Sequence, residues 1–211
     1  MYRIHPSTIL RELFARKPYQ GADPCAARFL FIGLDANYAA SIESGPIFEA
    51  LVDYHRDGPA FWRRHGVHHP FLLPHYRGDG RRYHRNFARI GFEPRHAEQV
   101  SFLELLHVPT VGRNSLALED LDGEHLATLR RAIFHGSAQF VFVSAGVLRL
   151  MVATGMFGEL NGARRARGAL SVLFEDDRRT VFLHLHFSNY GKFEQPLQAQ
   201  AREIGGLVGA A

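Results

Sequence analysis

The sequence predicts an α/β layered domain built around a mainly parallel sheet. Three observations lead there. Short continuous apolar runs at residues 28–33 (RFLFIG), 99–103 (QVSFL) and 139–143 (QFVFV) have the length and composition of buried parallel strands. Stretches with apolar residues at helical spacing lie between them, and that alternation argues for parallel strands joined by crossovers. The 211 residues, 46% of them hydrophobic, suffice for one domain with a full core; no repeat, low-complexity segment or linker divides residues 1–211.

In chain order, Ser7 is placed to cap a short helix with Ile9, Leu10, Leu13 and Phe14 on one face. The strand at 28–33 follows, then helical patterns around 46–55 and 59–65. Residues 71–80 (FLLPHYRGDG) read as a Pro- and Gly-rich loop. Residues 81–90 read as a helix stopped by Gly91, and 99–103 as the second strand. A helix is predicted over 118–134, with Leu126, Leu129 and Ile133 forming a stripe. The third strand, 139–143, leads into a helix at 145–151. Residues 170–174 and 180–186 flank Glu175-Asp176-Asp177-Arg178-Arg179 and read as a hairpin, and 195–204 as the last helix.

Composition narrows the class. One cysteine, Cys25, excludes an internal disulfide framework and any multi-cysteine zinc or iron–sulfur site. No stretch reaches the roughly 20 apolar residues of a membrane helix, and the first residues lack the pattern of a secretory signal. The expected setting is the reducing cytoplasm, away from membranes. The formal charge is +4, and every basic residue except Lys17 and Lys192 is arginine. Arginine binds phosphate bidentately, so the balance suits nucleic acid as well as an ordinary solvated surface.

In open parallel sheets, ligands bind outside the carboxyl ends of the strands. The unusual residues fall there: 35–38 after the first strand, 104–113 after the second and 186–190 after the last. Asp35 reads as a carboxylate that positions water or faces a developing cation, or as a turn aspartate. His184 and His186 share one strand face, so with Asp35 they could ligate a metal; alternatively His184 belongs to the core. Phe71 could stack on a planar ligand or fill the core. Arg77, Arg81 and Arg82, and Arg164, Arg165 and Arg167, sit in Gly-bounded clusters that fit phosphate contacts. The spacings of His55, His65, His68, His69, His75 and His84 match neither HExxH nor a zinc finger.

Taken in order, these pieces resemble the uracil-DNA glycosylase superfamily. That family's first motif, typically G-Q-D-P-Y, stands here as Gly33-Leu34-Asp35-Ala36-Asn37. Its last, H-P-S-P-L, stands as His186-Phe187-Ser188-Asn189-Tyr190. His69-Pro70-Phe71-Leu72-Leu73-Pro74 resembles the loop with the base-stacking phenylalanine, and residues 82–87 the helix after it. Residues 100–113 (VSFLELLHVPTVGR) resemble the strand and loop with the pyrimidine-reading residue. The four-cysteine cluster of some branches is missing, so the likeness is to a branch without an iron–sulfur cluster.

The resemblance implies a three-layer α/β/α fold with a central, mainly parallel four-stranded sheet. It implies a monomeric enzyme that flips uracil out of single- or double-stranded DNA and hydrolyses its N-glycosidic bond in base excision repair. Free uracil is then the product, and no metal or cofactor is needed. Asp35 would orient the attacking water and stabilise the sugar cation, and His186 would donate to the leaving base. Gly33, Leu34, Asn37, Tyr38, Phe71 and Glu104 would form the base pocket, with Phe71 stacking and Glu104, or His107 after a short slip, reading the base. Ser188, Asn189, Tyr190 and Lys192 would contact DNA together with Arg164 and Arg165, Tyr190 filling the gap left in the duplex.

The departures are Asn37 where relatives carry a methyl-excluding tyrosine, Glu104 at a position often Asn, and Phe187 and Asn189 in place of two prolines. Two other classes stay open on the residues: a metal-dependent hydrolase using His184, His186 and Asp35, and a non-catalytic nucleic-acid binder.

Overall fold

Phe29, Leu30, Phe31 and Ile32 are all buried, so their strand is covered on both faces, as a parallel strand between helical layers must be. In the computed structural model, which describes residues 2–112 and 115–209, the chain begins with α1 (Thr8–Arg16), β1 (Tyr19–Gly21), β2 (Phe29–Gly33) and β3 (Asn37–Tyr38). It continues through α2 (Phe48–Arg56), α3 (Gly58–His65), α4 (Arg81–Ala88), β4 (Val100–Glu104) and β5 (Thr110–Val111). Then come α5 (Gly123–His135), β6 (Phe140–Ser144), α6 (Ala145–Ala153), β7 (Arg165–Arg167), β8 (Leu170–Glu175), β9 (Thr180–His184) and α7 (Glu194–Gly209). Arg113, the last residue of the stretch likened to the base-reading loop, lies outside the described residues.

The main sheet has the order β1-β4-β2-β6-β9-β8-β7. Its four central strands are parallel, β2 pairing with β4 on one side and β6 on the other, and β6 with β9. β1, β8 and β7 join antiparallel. The α/β class therefore holds, but the sheet is seven-stranded and mixed, not four-stranded and mainly parallel. The extra strands left little to read. β1 has three residues, and β7 is an exposed Arg-Ala-Arg with no apolar alternation. β9 also ends two residues before its predicted limit. The Leu185 N–H leaves the ladder and donates to Gln200 Oε1 at 2.8 Å.

Side-chain alternation builds a core on each face. Leu30, Ile32, Val141 and Val143 pack with Leu126, Leu129 and Ile133 of α5 and Val147 and Met151 of α6. Phe29, Phe31, Phe142 and Phe182 point the other way, toward Trp62 of α3, Phe87 of α4 and Leu197 of α7. Phe31, Phe142 and Phe182 stack across three neighbouring strands, with centroids 4.8 and 5.5 Å apart. A third cluster joins Leu10 and Phe14 of α1 and Leu51 of α2 to Tyr38 and Phe71 beyond the carboxyl end of the sheet. Ser7 caps α1 as predicted, accepting from the Leu10 N–H at 3.2 Å.

The chain passes from β2 outward to β4 on one side, then returns to β6 and β9 on the other. This reversal leaves a crevice at the carboxyl ends of the parallel strands.

Candidate active site at the carboxyl ends of the parallel strands

A cavity of about 260 Å³ occupies that crevice. Backbone hydrogen bonds zip the loops after β2 and β4 together along its floor. Leu105 and Leu106 donate to the Gly33 and Leu34 carbonyls, both at 3.1 Å, and Thr110 donates to Ala36 at 2.9 Å. β3 and β5 continue this as a short parallel pair. Asp35 hangs between them. Its Oδ2 accepts from the Thr110 hydroxyl and from Asn37 Nδ2, the latter at 3.3 Å. The Asn37 amide also donates to Thr110 Oγ1 and the Gly112 carbonyl. Asn37 thus braces the aspartate, and the next residue, Tyr38, is the buried ring in the cavity wall.

Glu104 ends β4 opposite Gly33. Its carboxyl lies over the Gly33 α-carbon, where any Cβ would collide with both carboxyl oxygens. Glycine there is what lets the carboxyl fold inward. Burial pushes the Glu104 carboxyl well above the usual carboxylate range, and the negative charge of Asp35 pushes the same way. His107 does not line the cavity; it packs against His125 of α5, and its Nδ1 is buried without a hydrogen-bond partner.

His186 enters from the loop after β9. Its Nδ1 accepts from the Ser188 N–H at 3.3 Å and lies 2.6 Å from the Ser188 hydroxyl. This network assigns the ring proton to Nε2. Burial lowers the pKa of the ring, and Asp35 pulls partly back. The result is a neutral imidazole with an N–H donor. Phe187, where the resemblance expects proline, is 1% exposed and wedged among Phe31, Tyr83, Phe87 and His184. The backbone carbonyls of Phe187 and Asn189 both accept from Asn86 Nδ2 of α4, at 2.6 and 3.4 Å. An apolar anchor and an amide clamp thus fix the loop that the two prolines would otherwise stiffen.

The far wall is aromatic. Phe71 is buried, with Tyr76 stacked on it at 4.3 Å and Tyr38 edge-on at 6.3 Å. His69 accepts from the Phe71 N–H and stacks on His84 at 3.6 Å, and His84 meets His68 through their ring nitrogens at 3.2 Å. Burial holds all three histidines neutral, lowering His84 to about 3. Gln20 of β1 donates to the Tyr38 hydroxyl at 2.7 Å.

Of the residues singled out from sequence, Gly33, Leu34, Asp35, Asn37, Tyr38, Phe71, Glu104, His186 and Ser188 line this one cavity. Asn189 and the exposed Tyr190 and Lys192 continue the adjoining loop. Arg164 and Arg165 are not brought to the cavity. Arg165 lies on β7, two strands beyond β9, paired with Glu175, and Arg164 precedes it. His184 is buried against Phe142 and Phe187 and does not line the cavity, so the three donors of the metal reading do not converge. Among the described residues, no group of three or more His, Cys, Asp or Glu could hold a metal ion.

Sequence reasoning did not assign Gln20, His69, Tyr83, His84, Phe102 or Thr110 to the site. Gln20 sits on a strand too short to signal itself. Tyr83 and His84 carried a signal in that they open a helix straight after the Phe71 loop. Thr110 stood in a stretch already marked as a strand end.

No helix among the described residues is long and apolar enough to cross a membrane. Comparison with protein-family models finds none that matches, and comparison with curated proteins finds no significant match.

Proposed function

We propose that this chain is a uracil-DNA glycosylase-like enzyme, which takes a flipped uracil into the cavity and hydrolyses its N-glycosidic bond. The observation that carries the reading is the convergence of Asp35, Glu104 and His186, from the ends of three different parallel strands, on one cavity with an aromatic wall. Cleaving the bond leaves an oxocarbenium-like sugar and an anionic base. The reaction therefore needs negative charge at the sugar and hydrogen-bond donors at the base oxygens. Asp35, held by Thr110 and Asn37, serves the sugar and the attacking water. The neutral His186 Nε2–H donates to a base carbonyl as charge develops there.

Glu104 resolves its own departure from the family. An ionised glutamate would repel a uracil carbonyl, but burial and Asp35 favour the neutral acid, whose O–H donates. Phe71 and Tyr38 supply the apolar faces for the ring. Ser188 lines the cavity, and Asn189, Tyr190 and Lys192, which follow it in the chain, serve the DNA strand, Tyr190 occupying the space the base leaves. The enzyme works as a monomer in the cytoplasm, and uracil and abasic DNA are its products.

The test is release of uracil from labelled single- and double-stranded oligonucleotides. Wild-type protein is expected to release it. Asp35→Ala and His186→Ala are expected to slow release by more than about a hundredfold with DNA binding retained. Wild-type protein that leaves both substrates intact would refute the assignment.

A further inference from the structure

The basic residues of α4 are sorted by face. Tyr83 and His84 turn into the cavity. Arg82, Arg85 and Arg89 follow i, i+3, i+7 spacing and form a separate stripe. Two contacts fix where the stripe points. The Arg82 guanidinium sits over the Tyr190 ring, 4.5 Å from its centroid, and Arg89 pairs with Glu194 at 2.5 Å. Arg85, between them, is exposed, and among the described residues neither it nor Arg82 has an acidic partner. Tyr190 is 68% exposed, the most exposed large apolar side chain among the described residues. Exposed Lys192 stands two residues further along. Through Asn86, α4 is also bolted to the loop that carries His186.

From this geometry we propose that the Arg82–Arg85 face of α4, with Tyr190 and Lys192, is the backbone-binding surface for the nucleic-acid strand entering the cavity. The partner chemistry is a run of phosphates carrying bases that can stack. Two unpaired guanidiniums about one helical turn apart offer forks to phosphate oxygens. A solvent-facing phenol ring already held from one side by a cation offers its other side to a base. The Arg164–Arg167 segment lacks these properties: it lies on the distal sheet edge, with Arg165 and Arg167 both engaged by Glu175. The proposal rests on the glycosylase reading in taking the adjacent cavity as a nucleotide pocket.

The experiment is fluorescence anisotropy of labelled single-stranded and duplex oligonucleotides containing a non-hydrolysable abasic-site analogue, titrated at increasing NaCl. Log Kd against log salt should be linear for the wild type. Arg82→Gln and Arg85→Gln should each flatten the slope by about 0.7 on single strands and about 0.9 on duplex. Between about 50 and 200 mM salt, wild-type binding should therefore weaken about tenfold more than that of the double variant. Arg82→Lys with Arg85→Lys should keep the slope, and Arg164→Gln with Arg165→Gln should keep it too. Urea midpoints identify any variant that fails to fold; if the double glutamine variant does, the slopes of the Arg82→Gln and Arg85→Gln single variants decide.

An unchanged slope in the double variant, a matching loss in the Arg164/Arg165 variant, or no salt-dependent binding by the wild type overturns the proposal. Uracil release from the same protein keeps the two readings apart. Arg82-dependent binding without base release upholds this surface and refutes the glycosylase.

Discussion

His184 ties the stability of the fold to pH. It is 6% exposed, its Nδ1 has no hydrogen-bond partner, and its ring packs on Phe142 and Phe187. Burial lowers its pKa from 6.5 to about 3; nearby His186 adds to the fall, and a hydrogen bond from the ring to the Leu185 backbone opposes it. The folded protein therefore refuses a proton that the unfolded chain accepts. The stability this group contributes is present above pH 6.5 and is lost progressively as pH falls toward 3. Between about pH 7 and 5 the unfolded residue gains most of a proton and the folded one almost none, a loss of about 2 kcal/mol at 1.36 kcal/mol per pH unit. His184→Leu removes the titration and keeps an apolar side chain. Urea unfolding at the two pH values should give a wild-type stability difference about 2 kcal/mol larger than that of the variant. The other buried histidines contribute equally to both proteins and cancel. Differences equal to within about 0.5 kcal/mol would refute the reasoning.

Gly33→Ala should displace the Glu104 carboxyl, because the added methyl occupies its place; base release should fall while the unfolding midpoint moves little. Thr110→Val removes the hydroxyl that holds Asp35, worth about 1.5–3 kcal/mol for a bond to a charged group, so kcat should drop about ten- to a hundredfold with KM nearly unchanged. Phe187→Ala should cost about 3–5 kcal/mol of stability by urea titration, the range for emptying a buried aromatic site. With wild-type protein, base release should fall as pH rises through the raised Glu104 pKa, since the protonated acid is the donor. Glu104→Gln keeps an N–H donor without that titration and should flatten the alkaline limb of kcat/KM; an unchanged limb would assign it to another group.

The parallel centre of the fold was legible because β2, β4 and β6 are buried on both faces and read as unbroken apolar runs. The sheet edges were not. Tyr19–Gly21 is held by its register against β4, a non-local pairing that leaves no periodicity in three residues. Arg165–Arg167 is a strand because β8 offers a free edge. For the site, residues at strand ends were legible from position and chemistry, and Asp35, Glu104 and His186 do share a cavity. Residues whose role depends on which neighbour they meet were not. Asn37 turned out to brace Asp35 while Tyr38 faces the cavity, a one-residue choice set by the pairing of β3 with β5. Phe187 and Asn189 were puzzling in sequence because their partners, the aromatic core and Asn86, lie about a hundred residues away.

Asp35 and Glu104 are the same functional group, carried beyond and at the ends of the paired strands β2 and β4, and the fold surrounds them differently. Asp35 accepts hydrogen bonds from the Thr110 hydroxyl and the Asn37 amide. Glu104 is folded over a glycine into the protein, where burial and the charge of Asp35 itself favour its acid. In the proposed reaction, the charge that Asp35 would present to a sugar cation also adds to burial in keeping the proton on Glu104. A carboxyl kept protonated by its surroundings can donate where negative charge builds, while a second carboxylate serves the positive centre. An Asp35→Asn protein should accordingly lose more than its charge at the sugar. It should also let Glu104 ionise at lower pH, moving the alkaline limit for binding a carbonyl-bearing base downward, a change a merely missing water-positioning residue would not produce.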